Sequence, residues 1–274
     1  MMKIACTTLA CPDWSLDTIL ERFAAYGYDG VDFRGLGDEM NVWRLEAFSS
    51  GAKATAKKIA RSGLEVSAFS SSARVFIPDP AERDKQVAEV AEYARLCRRF
   101  EARLIRVFGG PLGQTPLEQA LEVAAATLRR MAEAAGEDVT LAVETHDDWT
   151  RTRPLAELLE RVSLPNAGVL WDLHHPYREG GESPRQSYDN IGRYTVATHL
   201  KDSRLTGGEK YEYCLPGEGD VPLAEMVALL AAGGYDGYLT LEWEKKWHPE
   251  LADPEVALPA YAEYMRGLAG RGDA

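Results

Sequence analysis

The chain has 274 residues, of which 45% are hydrophobic and 27% are charged, and its formal net charge is -12. The length and the ordinary composition fit one globular domain over residues 1–274. The negative charge argues against a nucleic acid or an anionic membrane as partner, because basic patches bind both.

No apolar run reaches the ~20 residues that a membrane-spanning helix needs. The N-terminal stretch, residues 1–6, enters a strand-like pattern at once and lacks the apolar segment of a signal peptide. We therefore expect a cytoplasmic protein. The four cysteines are scattered without a C-x-x-C pair, so the sequence implies neither a disulfide framework nor a zinc cluster.

Short apolar runs typical of β-strands alternate with amphipathic segments typical of helices. Three helix starts carry a capping residue followed by proline, at Asp79-Pro80, Thr115-Pro116 and Ser183-Pro184. Eight such units in strict alternation predict a parallel (β/α)8 TIM barrel. An open doubly wound sheet is the alternative, but it would want a glycine-rich phosphate loop, and no G-x-G-x-x-G is present. The predicted strands are 3–8, 31–34, 64–69, 104–108, 141–143, 169–172, 196–199 and 238–242.

Four consecutive predicted strands end in a residue that can bind a metal: Glu144, Asp172, His199 and Glu242. Strand carboxyl ends converge on one rim of a barrel, where the chemistry of such proteins lies. Three carboxylates and one imidazole suit a single divalent ion, Mn²⁺ first of all, then Mg²⁺ or Co²⁺, with Zn²⁺ as a further candidate. The simpler alternative is four unconnected charged residues at strand ends.

Other polar residues follow the same strand ends. His146 lies two residues past Glu144, and His175 lies three past Asp172. Lys201 lies two residues past His199, where a cation could stabilise negative charge on a substrate oxygen. A residue of this kind taken alone is more often a surface residue than a catalytic one, but on one rim the three would line the same cavity.

Two arginines and several aromatic residues also lie near strand ends. Arg34 and Arg106 could meet a substrate oxygen or phosphate, or form a salt bridge inside the barrel. Trp14 and Phe108 could form apolar walls of a sugar pocket, although aromatic residues at such positions are more often core. An extra loop, residues 201–220, separates the last two metal-type residues.

Five motifs lie at or near these strand ends: Ala142-Val-Glu-Thr-His146, Trp171-Asp-Leu-His-His175, His199-Leu-Lys-Asp202, Gly217-Glu-Gly-Asp220 and Gly234-Tyr-Asp-Gly-Tyr-Leu-Thr-Leu-Glu242. With these motifs the chain resembles, over nearly its whole length, the xylose isomerase-like TIM barrels of the sugar phosphate isomerase/epimerase superfamily. The resemblance implies one divalent metal held by the four strand-end residues, with His175 contacting the substrate.

The resemblance also suggests the reaction. The ketose 3-epimerases of this group use the two glutamates, here Glu144 and Glu242, as an acid/base pair. The inosose and 3-dehydroshikimate dehydratases share the metal site, and His146 resembles the base histidine of the latter. The DNA-repair endonucleases carry a larger, histidine-rich trinuclear site, which five histidines and a charge of -12 do not fit.

We therefore expect a metal-dependent isomerase or epimerase of a ketose or keto-polyol that works through an enediolate. The alternative is a dehydratase with His146 as base and His175 or Lys201 assisting. A third hypothesis is a barrel that only binds carbohydrate, which a protein indifferent to added metal would favour. The sequence leaves the sugar and the oligomeric state open, including a homo-oligomer.

Overall fold

The protein is described by a computed structural model over residues 2–270, so the ends of the expected single domain 1–274 lie outside the described residues. Within this range the strands are β1 (Lys3–Thr7), β2 (Gly30–Phe33), β3 (Glu65–Arg74), β4 (Leu104–Phe108), β5 (Thr140–Glu144), β6 (Ala167–Asp172), β7 (Thr195–Leu200), β8 (Asp202–Gly207), β9 (Lys210–Cys214) and β10 (Tyr238–Leu241).

Eight parallel strands close into a barrel in the order β1-β10-β7-β6-β5-β4-β3-β2, so the predicted (β/α)8 TIM barrel is confirmed. The α-helices of the described range are α1 (Leu16–Tyr26), α2 (Ala52–Ser62), α3 (Pro80–Phe100), α4 (Leu117–Ala135), α5 (Thr152–Val162), α6 (His175–Arg178), α7 (Pro184–Ile191), α8 (Leu223–Ala232) and α9 (Pro254–Gly270).

Buried side chains from the strands and helices form one large hydrophobic cluster. A second, small cluster of Ala142, Leu170 and Ala197 comes from three neighbouring strands. The four cysteines are buried, and none of them forms a disulfide within the described residues. None of the helices within residues 2–270 has the length and apolarity needed to cross a membrane.

Two of the three predicted helix caps are confirmed. Ser183 accepts a hydrogen bond from the Gln186 backbone N–H, and Asp79 accepts one from the Ala81 N–H. The prediction for Thr115 was wrong. Pro116 itself takes the extended N-cap position (ψ 139°) and has no side-chain acceptor, so α4 begins one residue later than a Thr115 cap would place it.

The strict alternation is interrupted after β7, where the predicted extra loop contains the antiparallel hairpin β8–β9. The Asp202 carboxylate holds the segment that follows, because it accepts hydrogen bonds from the backbone N–H groups of Gly217 and Gly219 at 2.8 and 3.2 Å. A Cβ at Gly219 would collide with Asp202 and with the Ser203 carbonyl. This contact explains the glycine in the Gly217-Glu-Gly-Asp220 motif.

Candidate metal centre and active site

The structure brings the four predicted metal-type residues together at the carboxyl ends of the strands. Glu144 and Asp172 are the last residues of β5 and β6, His199 lies near the end of β7, and Glu242 directly follows β10. All four are buried, and one donor atom from each lies within 4.8 Å of the others. The geometry therefore fits a single shared cation.

His199 is the centre of this group. Its Nδ1 lies 3.0 Å from Glu144 Oε1 and 3.3 Å from Glu242 Oε1, while its Nε2 lies 3.1 Å from Asp32 Oδ2. Burial acts to lower the pKa of His199, but Glu242, Asp32 and Glu144 outweigh it and raise that pKa well above its ordinary value. The sequence analysis missed Asp32, a lone acidic residue inside β2.

Lys201 is buried, with a side chain 1% exposed, so the surface alternative for it was wrong. Its Nζ lies 2.8 Å from Asp172 Oδ2, 2.5 Å from Glu242 Oε2 and 2.9 Å from Glu244 Oε1. Burial opposes the charge of Lys201, but these carboxylates outweigh it and raise its pKa. Glu244 was also missed, although it lies two residues past Glu242.

Both predicted acid/base glutamates are held as anions. Burial favours protonation of Glu144, but the Arg106 guanidinium, whose Nε lies 3.4 Å from Glu144 Oε2, and His199 bring its pKa to about 2. Burial is likewise outweighed at Glu242, where Lys201 and His199 lower the pKa well below the usual range. Arg106 thus forms the internal salt bridge that the sequence left as an alternative.

Backbone and hydroxyl groups hold Asp172 in place. Its Oδ1 accepts hydrogen bonds from the backbone N–H groups of His174 and His175 at 2.8 and 3.1 Å. The Thr145 hydroxyl accepts the Asp172 N–H at 2.9 Å, and the Thr145 carbonyl accepts the His175 Nδ1–H at the same distance. Because Nδ1 of His175 donates in this way, Nε2 is the ring nitrogen that remains as an acceptor in the neutral imidazole.

Asp172, His174 and His175 form a second group with donor atoms within 4.8 Å of one another. In this group the His174 Nε2 pairs with the Ser203 hydroxyl at 2.9 Å, and His175 Nδ1 is already donated to a carbonyl. Burial lowers the pKa of His174 well below its ordinary value, so this ring is a neutral hydrogen-bonding residue.

His146 lies beyond the end of β5 and is more open than the metal-type residues, with 35% of its side chain exposed. Its ring centroid is 5.0 Å from that of His175 and 4.8 Å from that of Phe108. Burial acts to lower the pKa of His146, but Asp147, 2.9 Å from its Nδ1, outweighs burial and raises it. His146 therefore adjoins two predicted substrate-binding residues.

The other predicted substrate-binding residues, Arg34 and Trp14, form no hydrogen bond or ion pair with the four metal-type residues within residues 2–270. Arg34 donates to the Ser72 hydroxyl at 3.1 Å, and its guanidinium carbon lies 5.7 Å from the Phe108 ring centroid. Burial and the nearby Arg106 lower the pKa of Arg34 to about 10. Trp14 is half-buried and packs against the hydrophobic core, so its part in a sugar pocket stays a prediction.

Two curated relatives are similar to part of the chain. An inosose dehydratase from Klebsiella pneumoniae is 32% identical over 165 residues, which cover 53% of this chain and 52% of that protein. A putative hydroxypyruvate isomerase from Streptomyces coelicolor is 33% identical over 107 residues, 39% of this chain and 35% of that protein. The chain spans about half or less of the length of the curated relatives it matches.

A solved structure, that of the IolI protein with a bound zinc atom, matches with a TM-score of 0.82 at 15% identity and covers 98% of this chain and 99% of that one. At this identity the match shows the fold alone. The model of the xylose isomerase-like TIM barrel family matches residues 20–267. The eight-stranded parallel barrel agrees with that match. The chain therefore belongs to the xylose isomerase-like TIM barrel family.

Proposed function

We propose that this protein is a divalent-metal-dependent isomerase or epimerase of a ketose or keto-polyol, with Glu144 and Glu242 as its acid/base pair. The observation that carries the proposal is the placement of these two glutamates. Their strands, β5 and β10, flank β6 and β7 in the barrel, and the two carboxylates meet near the Nδ1 of His199, at 3.0 and 3.3 Å. One glutamate can take the proton from one face of a carbon between them, while the other, protonated by the Lys201 ammonium, gives a proton to the opposite face and inverts that carbon.

The residues fit one divalent ion, Mn²⁺ in our proposal, with Mg²⁺, Co²⁺ and Zn²⁺ as alternatives. Glu144, Asp172, His199 and Glu242 would hold it, since anionic oxygens and an imidazole nitrogen converge from all four. The zinc in the similar IolI structure supports a metal in a barrel of this kind. When bound, the ion polarises a substrate carbonyl as a Lewis acid, which acidifies the neighbouring C–H.

The other residues have separate proposed roles. Lys201 holds Glu242 Oε2 at 2.5 Å, so its ammonium can return a proton to that carboxylate or stabilise negative charge on a substrate oxygen. His175, Arg34, Trp14 and Phe108 would bind the substrate. His146, beside His175 and Phe108, would hold a substrate hydroxyl in this reaction.

A second function, a dehydratase of the inosose or 3-dehydroshikimate type, is favoured by a different observation. His146 is the most exposed of the predicted catalytic residues and adjoins His175. The similarity to an inosose dehydratase points the same way. In this reaction His146 takes the proton next to the carbonyl, and a β-hydroxyl leaves as water with help from His175 or Lys201.

One experiment separates the two functions and tests both. The Mn²⁺-loaded protein is incubated in D₂O with a panel of ketoses, inososes and 3-dehydroshikimate, and the products are followed by NMR and mass spectrometry. An isomerase or epimerase should incorporate deuterium at the reacting carbon without loss of water. Loss of water from the active substrate would replace the first proposal by the second. No turnover of any compound, with no stabilisation by metal, would favour a barrel that only binds carbohydrate.

A further inference from the structure

We propose that Asp32 is a positioning residue that fixes the imidazole of His199, so that Nδ1 faces the metal position and Nε2 carries the proton. The inference rests on the metal site of the proposed function. Asp32 lies in β2, and His199 lies three strands away in the barrel order, in β7. Their contact of 3.1 Å therefore crosses the barrel interior.

The two ring nitrogens of His199 have different surroundings. Nδ1 faces the oxygens of Glu144 and Glu242, which also belong to the metal-type group. Nε2 faces Asp32, an acceptor that takes no part in that group. An imidazole that donates Nε2–H to a carboxylate keeps its Nδ1 lone pair for a cation, and the carboxylate fixes the ring orientation and increases its basicity.

Asp32 is itself held in place. The Ser70 hydroxyl donates to Asp32 Oδ2 at 2.9 Å, so the oxygen that faces His199 has a second partner. Asp32 is 1% exposed, and Ser70 is fully buried. Burying a carboxylate costs free energy unless it is hydrogen-bonded. A buried carboxylate contributes nothing to solubility, so we infer that Asp32 is kept in this position for its hydrogen bond to His199.

The second oxygen of Asp32 faces a different environment. Oδ1 is buried without a hydrogen-bond partner among the described residues. Asp32 and His199 also line a cavity of about 260 Å³, whose mainly apolar wall includes Leu170 and Ala197 beside the Ser67 hydroxyl. Hydrogen bonds therefore hold only Oδ2, which is the oxygen that faces His199.

The test measures the affinity of the metal-free protein for Mn²⁺ by calorimetry, without a substrate. Asp32→Ala and Asp32→Leu both remove the acceptor, and each should raise the Kd by roughly ten- to a hundredfold, the usual effect of removing such a partner. Asp32→Asn keeps an acceptor oxygen and should recover most of the affinity. Ser67→Ala changes the same cavity without touching His199, so its Kd should equal that of the wild type.

A second readout follows the proton itself. In Zn²⁺-loaded wild-type protein labelled with ¹⁵N-histidine, the His199 Nε2–H should give a proton signal protected from solvent exchange. The signal should broaden or disappear in whichever of the Ala and Leu variants folds. A wild-type protein without this signal would overturn the proposal, and so would an acceptor-free variant with the wild-type Kd. A wild-type protein that binds no divalent metal would instead overturn the proposed function, so the two failures are distinguishable.

Discussion

A lysine pairs with a carboxylate at each end of the barrel, but the two pairs have different surroundings. At the carboxyl ends of the strands, Lys201 Nζ lies 2.8 Å from Asp172, and both side chains are at most 1% exposed. At the opposite end, Lys3 Nζ lies 2.7 Å from Glu65, with 46% and 59% of the two side chains exposed. The distances are nearly equal, so the length of the contact does not distinguish the two pairs, whereas their burial does.

The difference shows what each pair contributes. An exposed pair contributes about 0–1 kcal/mol to stability, and salt screens it. A buried pair costs several kcal/mol of desolvation per ion, so it is weak evidence of a stabilising role. The cluster around Lys201 also holds three carboxylates within 2.9 Å. We infer that the charges at this end are present for chemistry, and those at the other end for solubility.

The largest expected contrast is in catalysis. Glu242→Gln should lower kcat by about 10²–10⁴, because an amide cannot take or return the proton. Its matched control, Glu65→Gln, changes a glutamate at the other end of the barrel and should leave kcat unchanged. His146→Ala should be the milder of the two site variants in an isomerase or epimerase. A product that has lost water, with His146→Ala inactive, would contradict the isomerase reading.

A slightly smaller contrast is expected for the two lysines. Lys201→Met should lower kcat by roughly a hundredfold, the effect of losing one group that stabilises developing charge, with unchanged metal content by atomic absorption. In the metal-free protein it should also cost about 3–5 kcal/mol of stability in urea unfolding, because it leaves buried carboxylates unpaired. Lys3→Met should change both kcat and the stability in urea unfolding far less than Lys201→Met does. Full activity of Lys201→Met would remove Lys201 from the catalytic group.

Metal removal gives the next contrast. An ion that binds only the folded protein stabilises it by about 2.7 kcal/mol at a hundredfold excess over its Kd. EDTA should therefore lower the Tm of the wild type, and Mn²⁺ should restore it. Asp172→Ala should make the Tm indifferent to both, whereas Asp138→Ala, which removes an exposed carboxylate paired with Arg98, should respond like the wild type. A normal EDTA response in Asp172→Ala would exclude Asp172 as a ligand.

The barrel and most of the residues at the carboxyl ends of its strands could be predicted from the sequence. An apolar run that ends in a charged residue can be recognised in the sequence itself. The apolar run 141–143 before Glu144 indicates a buried strand, and parallel strands end on the same rim. The same argument predicted that Asp172 and His199 would lie beside Glu144 on that rim. The family resemblance added the reaction class, which the pattern of residues leaves open.

The contacts across the barrel could not be predicted, since they depend on strands that are distant in sequence. Asp32 reaches His199 over 167 positions, and a single acid in β2 gives no local signal. Lys201 was predicted as a catalytic residue on the rim, but its burial was not, because a lysine is rarely buried and the three carboxylates around it come from two other strand ends. The hairpin β8–β9 was predicted only as a loop, since its strands are short and mostly exposed.

The smallest expected effect concerns the exposed pair itself. Lys3 lowers the pKa of Glu65 through their hydrogen bond, and Tyr238 adds a second one. This stabilisation should be fully present above the ordinary glutamate pKa of ~4.3 and should be lost as the pH falls through the lowered value. A double-mutant cycle with Lys3→Met and Glu65→Gln should give a coupling of about 0.2–1 kcal/mol at pH 7 that shrinks in 1 M salt. A salt-independent coupling of several kcal/mol would mean that this end of the barrel behaves like the buried cluster, and the inference drawn from burial would fail.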